Sequence, residues 1–182
     1  MEAPQRLAVE ADAPQIQALM RTSVLNLFPR YYDERQTASS AIHIAHIDMQ
    51  LIHDQTYFVH EGDGEVVACG GWSRRYKLWT GEGDGEDDKR LLDPATEPAR
   101  VRAMFVRGDC TRRGLGRAIL ESCERAAHKE GFTELVLGAT LPGEPLYRAF
   151  GFCEVERFML TMPDGVSVEG VKMERPITLA GP

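Results

Sequence analysis

The densest chemistry in the sequence lies in CTRRGLGRAIL, Cys110 to Leu120. Gly114 and Gly116 stand one residue apart, Arg112, Arg113 and Arg117 surround them, and an apolar helical pattern begins at once. Helix propensity alone disfavours glycine in a first turn. An anion gives it a purpose. The first four N–H groups of a helix lack internal partners and mark the positive end of its dipole. A phosphate satisfies both if it can come close, and glycine has no Cβ to block it. Successive N–H groups form an anion-binding nest, and arginines add permanent charge in a forked set of donors. The spacing predicts a site for a phosphorylated ligand; a glycine-rich turn with solvated arginines is the alternative it leaves open. A Walker loop is excluded because no lysine follows the glycines, and a dinucleotide fingerprint because Ile119 stands where its third glycine belongs.

The elements that must position this turn can be read from periodicity. Arg6 to Glu10 reads as a first strand, and Asp12 with Pro14 opens a helix along which Ile16, Leu19, Met20 and Val24 recur. A second helix is expected from about Glu34 to Asp54, with Ile42, Ala45, Met49 and Ile52 on one stripe. Tyr57–His60 and Val66–Trp72 read as a hairpin turning at Gly62–Gly64, with a bulge or close backbone approach at Gly70-Gly71. Residues 78 to 99, around GEGDGEDDKR, have no periodicity and read as a mobile acidic loop. Arg100–Val106 is a strand leading into the glycine turn, followed by a helix to about Glu130 bearing Leu115, Ile119, Cys123 and Ala126 on one face. A strand at Glu134–Leu137, a short helix at Glu144–Phe150 and a closing hairpin, Glu154–Met162 and Val166–Glu174, complete the chain. About seven strands and four helices in mixed order make an α+β fold with a central sheet, in a single domain over residues 1–182.

MFVRGDCTRRGLGRAIL, Met104 to Leu120, resembles the acetyl-CoA-binding signature of the GCN5-related N-acetyltransferases (GNAT), a strand, a turn of the form [QR]-x-x-G-x-[GA], and a helix. Thr111 stands where that family usually has glutamine or arginine. ELVLGATLPGEPLYRAFGF, Glu134 to Phe152, is similar to the family's next strand and helix, and the order of elements fits over nearly the whole chain. The resemblance implies a mixed, mostly antiparallel sheet whose strand before the turn splays from its neighbour. Met104, Phe105 and Val106 would offer main-chain groups to the pantetheine arm and the acetyl carbonyl. Arg112, Arg113, Gly114, Leu115, Gly116 and Arg117 would wrap the pyrophosphate. Tyr147 matches the tyrosine that protonates the departing CoA thiolate, although tyrosines on short helices also serve as packing residues. Pro142 falls where many members carry an asparagine that bonds the pantetheine, so that contact is absent or comes from Thr140.

The function implied is acetyl-CoA-dependent N-acetylation of a small-molecule or peptide primary amine, with acetyl-CoA as co-substrate and no metal. A non-catalytic acyl-CoA-binding module is the alternative, motivated by the missing asparagine and the lack of an evident general base. Glu65, His60, Asp33 and Glu34 are candidates for that base, and none stands out. Tyr31 and Tyr32, between the first two helices, could shape an acceptor pocket or pack. His43, His46 and His53 share the polar stripe of the expected long helix, at spacings loose for zinc. The net charge of −7 argues against a nucleic-acid partner held by a basic field. Cys69, Cys110, Cys123 and Cys153 form no C-x-x-C pair and read as reduced thiols. MEAPQRLAVEADAPQ has no apolar core, so neither secretion nor membrane insertion is expected and a cytoplasmic location is. The closing hairpin offers edge strands through which a homodimer could form.

Overall fold

The computed structural model describes residues 2–79 and 86–179. Seven strands form one sheet: β1 (Gln5–Leu7), β2 (Tyr57–Gly62), β3 (Glu65–Ser73), β4 (Ala99–Val106), β5 (Glu134–Thr140), β6 (Cys153–Thr161) and β7 (Ser167–Pro176), in the order β1-β2-β3-β4-β5-β7-β6. The helices are α1 (Ala13–Leu27), α2 (Glu34–His43), α3 (Met49–His53), α4 (Leu115–Lys129) and α5 (Glu144–Phe150). The architecture is the α+β mixed sheet expected, with five α-helices among the described residues against the about four that periodicity predicts.

The extra helix comes from a break in the expected Glu34–Asp54 helix. α2 ends at His43 and α3 starts at Met49, with Asp48 capping α3 by accepting from the Gln50 N–H at 3.0 Å. Gln17 of α1 holds the intervening turn, donating to the Ala45 carbonyl and accepting from the Ile47 N–H at 3.0 Å. A local competitor for backbone hydrogen bonds thus overrides a continuous apolar stripe. The three histidines consequently do not share a face: His43 lies 3.7 Å from Asp164 and His53 lies 3.0 Å from Glu10.

Two apolar layers cover the sheet. On one face, Ile16, Met20, Val24, Phe28 and Leu51 from α1 to α3 pack with Tyr57 and Val59. On the other, Ile119, Leu120, Cys123 and Tyr147 of α4 and α5 pack with Trp72, Leu135, Leu137 and Met173. Between them one pairing differs from the rest. All neighbouring strands are antiparallel except β4 and β5, which are parallel and in register only at Ala99–Leu135 and Arg100–Val136. Beyond that point β4 stays with β3 as far as Val106 opposite Ala68, and β5 stays with β7 as far as Thr140 opposite Gly170. A fork opens between them.

A bulge bends β4 at the fork. Ala103 has φ of +53°, the β3–β4 register slips between Cys69 and Gly71, and the buried Tyr57 hydroxyl donates to the Ala103 carbonyl at 2.7 Å. Glycine is required opposite the bulge, because a Cβ on Gly71 would stand 2.3 Å from the Thr56 carbonyl oxygen.

Within the expected acidic loop, Arg75 bridges Leu91, Leu92 is buried, and Arg90 grips Glu97 through two contacts, the shorter 2.7 Å. Residues 80–85 of that segment lie outside the described residues. At the far end, Pro163-Asp164-Gly165 turns β6 into β7, and Ser39 of α2 donates to Asp164 at 2.7 Å.

The core makes the fold alkali-sensitive. Burial pushes the Cys69 thiol up to about 12 and raises Cys123 further, while Tyr57 is also raised by burial. A folded-state value raised above the unfolded one adds stability that is complete below the unfolded value and is lost as pH rises toward the folded one. Unfolded thiols titrate near 8.5. The unfolding free energy from urea titrations should therefore hold steady from pH 7 to 8 and fall above about 9, by about 1.4 kcal/mol per pH unit for each buried thiol. A Cys69→Ala, Cys123→Ala double variant should flatten that decline, which parallel urea titrations at pH 8 and 10 will measure.

Candidate active site

The glycine turn sits at the open end of the fork. After β4, Arg107 donates its N–H to the Val67 carbonyl at 2.9 Å, a 3-10 turn covers Gly108–Cys110, and the Thr111 hydroxyl donates to the Gly108 carbonyl at 2.9 Å. The backbone then takes left-handed conformations at Arg112, φ +62°, and at Gly114, φ +81°. The Ala118 N–H reaches the Gly114 carbonyl at 2.9 Å as the first turn of α4 closes, so the N–H groups ahead of it in the turn precede the helix ladder. Alternating backbone of this kind converges N–H groups into an anion cradle. Arg112 and Arg113 are exposed and make no ion pair among the described residues. Arg117 contacts Glu121 at 3.1 Å and lies 5.7 Å over the Phe150 ring.

The two glycines have different reasons to be glycine. A Cβ at Gly114 would meet nothing within 4 Å, so its requirement is the left-handed cap at an open mouth. A Cβ at Gly116 would stand 2.9 Å from the Leu146 side chain, so there the absent Cβ lets α4 approach α5. Clearance for a phosphate, expected from spacing at both positions, is a geometric option at Gly114 alone.

Met104 and Val106 pack on the α4 side of the sheet and Phe105 on the α1 side. Past Arg100, the β4 backbone has no strand partner toward β5. The Val106 carbonyl accepts from the Ser23 hydroxyl at 3.2 Å.

Tyr147 lies on α5, which starts at the Gly143 cap with Pro145 in its first turn. It is 8% exposed, its ring meets Phe152 edge-on at 5.9 Å, and no hydrogen bond holds its hydroxyl among the described residues. Burial, and then the neighbouring Cys123, raise its phenol above the ordinary range, so it stays protonated well into alkali. A protonated phenol with a free donor is the state a general acid needs.

Three of the four candidate bases have another role. Glu65 is exposed and lies 2.9 Å from Arg107, and His60 is buried with Nδ1 2.6 Å from the Ala3 carbonyl oxygen. Asp33 caps α2 by accepting from the Gln36 N–H at 2.7 Å, and Glu34 is exposed in its first turn. The two tyrosines of the α1–α2 connection divide. Tyr31 is half-exposed, whereas the buried Tyr32 hydroxyl donates to the Glu169 carbonyl at 2.7 Å and accepts from the Leu141 N–H at 2.9 Å. Burial pushes Tyr32 up to about 12, and its two bonds tie the end of β5 to β7.

Sequence reasoning missed the residues beside the fork on the α1 face. Leu135, Leu137 and Ala139 face α4, so Gly138 faces the other way. There the Trp79 ring occupies the space a side chain would take, and Phe158 does the same over Gly170. The two rings meet at 4.1 Å between centroids. Arg102, two residues past the last β4–β5 pair, turns a buried guanidinium toward Asp48 at 3.1 Å. The signal for it was a pair of arginines, Arg100 and Arg102, inside an otherwise apolar strand, ARVRAMFV.

A family model described as "Acetyltransferase (GNAT) family" matches residues 21–152. No curated protein matches the chain by sequence. Among solved structures, the chain is similar to a GCN5-related N-acetyltransferase from Rhodopseudomonas palustris, with TM-score 0.70, 15% identity, and coverage of 97% of this chain and 96% of that one. It is also similar to the PaiA N-acetyltransferase of Thermoplasma acidophilum in complex with coenzyme A, with TM-score 0.66, 13% identity and coverage of 97% and 99%. A third similar structure is yncA, a putative acetyltransferase from Salmonella typhimurium with its cofactor acetyl-CoA, with TM-score 0.61, 17% identity and coverage of 100% and 98%. At these identities the likeness establishes a shared fold. Among the described residues, no helix is long and apolar enough to cross a membrane.

Proposed function

Because the chain belongs to the GNAT acetyltransferase family, we propose that this N-acetyltransferase passes the acetyl group of acetyl-CoA directly to a primary amine within a ternary complex. The observation that carries the reading is the fork: β4 and β5 pair at two positions only, and an N–H-rich turn, whose Arg112 and Arg113 make no ion pair among the described residues, stands at its mouth. The pyrophosphate of acetyl-CoA would lie in the turn from Arg112 to Arg117, on the backbone N–H groups, with Arg112 and Arg113 supplying charge. The pantetheine would run along Met104, Phe105 and Val106, pairing with β4 backbone that has no strand partner.

In the reaction, the amine nitrogen bonds to the thioester carbonyl carbon. A β4 backbone N–H stabilises the charge on the carbonyl oxygen. The carbon–sulfur bond breaks, the electron pair leaves on sulfur, and Tyr147 supplies the proton that completes the CoA thiol. The proton shed by the amine passes to water, and water returns a proton to the Tyr147 phenolate, which restores the enzyme for the next turnover. Holding amine and thioester together in one cleft supplies much of the rate.

Release of free thiol from acetyl-CoA across an amine panel, with mass spectrometry of the N-acetyl product, tests the reading. Turnover supports it; a folded protein that neither binds nor consumes any acyl-CoA overturns it. That Glu65, His60 and Asp33 are each engaged favours a second reading, an acyl-CoA-binding module, for which calorimetry would show coenzyme binding without turnover on any amine.

A further inference from the structure

One peptide unit at the fork is held by a side chain rather than by a strand. Arg102 pairs with Gly71 and Phe105 with Cys69, so Ala103 and Met104 of β4 face Gly70 alone in β3. Neither residue pairs with β5. In a sheet the neighbouring strand fixes each peptide plane through its ladder bonds. Among the described residues, the plane joining Ala103 to Met104 has no register partner. Its carbonyl instead accepts from the Tyr57 hydroxyl at 2.7 Å. Tyr57 belongs to β2, two strands away, and is 1% exposed. Burial raises its phenol well above the ordinary value, so the hydrogen is in place to donate.

The neighbouring residues are cut to fit that bond. The Tyr57 ring lies against Gly71, where a Cβ would stand 2.8 Å from it, and its hydroxyl reaches across β3 to Ala103. The Met104 side chain takes the space that a Gly70 side chain would fill, against Ile119 of α4. Ala103 is left-handed, φ +53°, a region only glycine enters freely, so a specific contact must offset the strain. The bond also sets a direction. A trans peptide is planar, with its C=O and N–H pointing opposite ways. Tyr57 draws the Ala103 carbonyl toward the β2 side of β4. The Met104 N–H of the same plane then points to the β5 side, into the fork.

We propose that Tyr57 is a positioning residue for acetyl transfer: its hydroxyl fixes the Ala103–Met104 peptide so that the Met104 N–H is aimed at the thioester carbonyl oxygen of acetyl-CoA. This rests on the N-acetyltransferase reading above. Negative charge gathers on that oxygen as the amine attacks, and a donor fixed beforehand needs no reorganisation at that moment. A peptide plane released from Tyr57 swings about its flanking single bonds and loses that alignment. Tyr57 itself touches no reacting atom and keeps its proton throughout.

The test uses two ligands that differ by the carbonyl oxygen, acetyl-CoA and S-ethyl-CoA, and its first arm needs no amine. By calorimetry the wild type should bind acetyl-CoA about threefold or more tighter than S-ethyl-CoA, the net effect of one hydrogen bond. Tyr57→Phe keeps the ring. It should bring the two affinities together by weakening acetyl-CoA, with S-ethyl-CoA within about twofold of the wild type. Infrared spectra of bound, carbonyl-labelled acetyl-CoA should place the stretch at lower frequency in the wild type than in Tyr57→Phe, a signature that lost packing does not produce. With an identified amine, kcat should fall by about tenfold, more than KM for acetyl-CoA rises, because the contact strengthens in the transition state. Should Tyr57→Phe not fold, the comparison is made in Tyr57→Phe, Ala103→Gly against Ala103→Gly alone, since glycine takes the left-handed conformation without strain. No wild-type preference for acetyl-CoA, a preference that Tyr57→Phe preserves, or an equal loss for both ligands would each overturn the proposal. A wild type that binds neither ligand rejects the acetyl-CoA reading and the proposal with it. A preference that depends on Tyr57, in a protein that acetylates no amine, would keep the positioning role and reject the transferase reading on which it was placed.

Discussion

Gly114→Val is expected to weaken acetyl-CoA binding by about tenfold or more, equivalent to about 1.4 kcal/mol, in calorimetric titrations of the folded variant. Two costs meet at this position. The backbone is left-handed, φ +81°, which disfavours any residue with a Cβ by about 1 to 2 kcal/mol and a β-branched one most. The Cβ itself would enter open space at the mouth of the turn, where the pyrophosphate must approach. Gly114→Asn separates the two, because asparagine tolerates the left-handed region while its side chain still obstructs the ligand. It should keep Tm near the wild type and lose affinity almost as fully as valine. Gly116→Ala should leave affinity little changed, because its Cβ points at the Leu146 side chain rather than at the mouth of the turn. Unchanged affinity in folded Gly114→Asn would mean that the turn does not cradle phosphate.

The contrast between those glycines marks where the sequence stops being legible. Helix α4, the turn before it and the closing hairpin were readable because each is specified locally, by periodicity, by Gly-rich punctuation and by Pro163-Asp164-Gly165. Spacing placed Gly114 and Gly116 in one role, but only the third dimension shows that Leu146, thirty residues on, takes the space at Gly116. The break between α2 and α3 was hidden for the same reason, since Gln17 makes it from another helix. Arg102 and Trp79 escaped notice because their meaning depends on the fork. An arginine in a strand is unremarkable until its guanidinium proves buried and half-satisfied, and a tryptophan beside an acidic stretch reads as loop until it is seen to fill the void over Gly138.

Tyr147→Phe is expected to lower kcat by about 10²-fold, with KM for acetyl-CoA nearly unchanged. The substitution removes one hydroxyl and keeps the ring, so the edge-on contact with Phe152 and the fit of α5 remain. No described residue loses a hydrogen bond, which keeps the stability cost small and the kinetic effect interpretable. A smaller drop would follow if the CoA thiolate, a fair leaving group, departs with water as its acid. The pH profile divides these cases. Burial and Cys123 raise the Tyr147 phenol well above the ordinary tyrosine value of about 10. Its proton is therefore in place throughout pH 6 to 10, and the wild-type rate should show no alkaline limb in that range. The rate should instead climb with pH as the acceptor amine loses its proton. Tyr147→Phe should retain that climb at a uniformly reduced height. Equal kcat values with an identified amine, where chemistry limits turnover, would leave Tyr147 as a packing residue between α5 and α4.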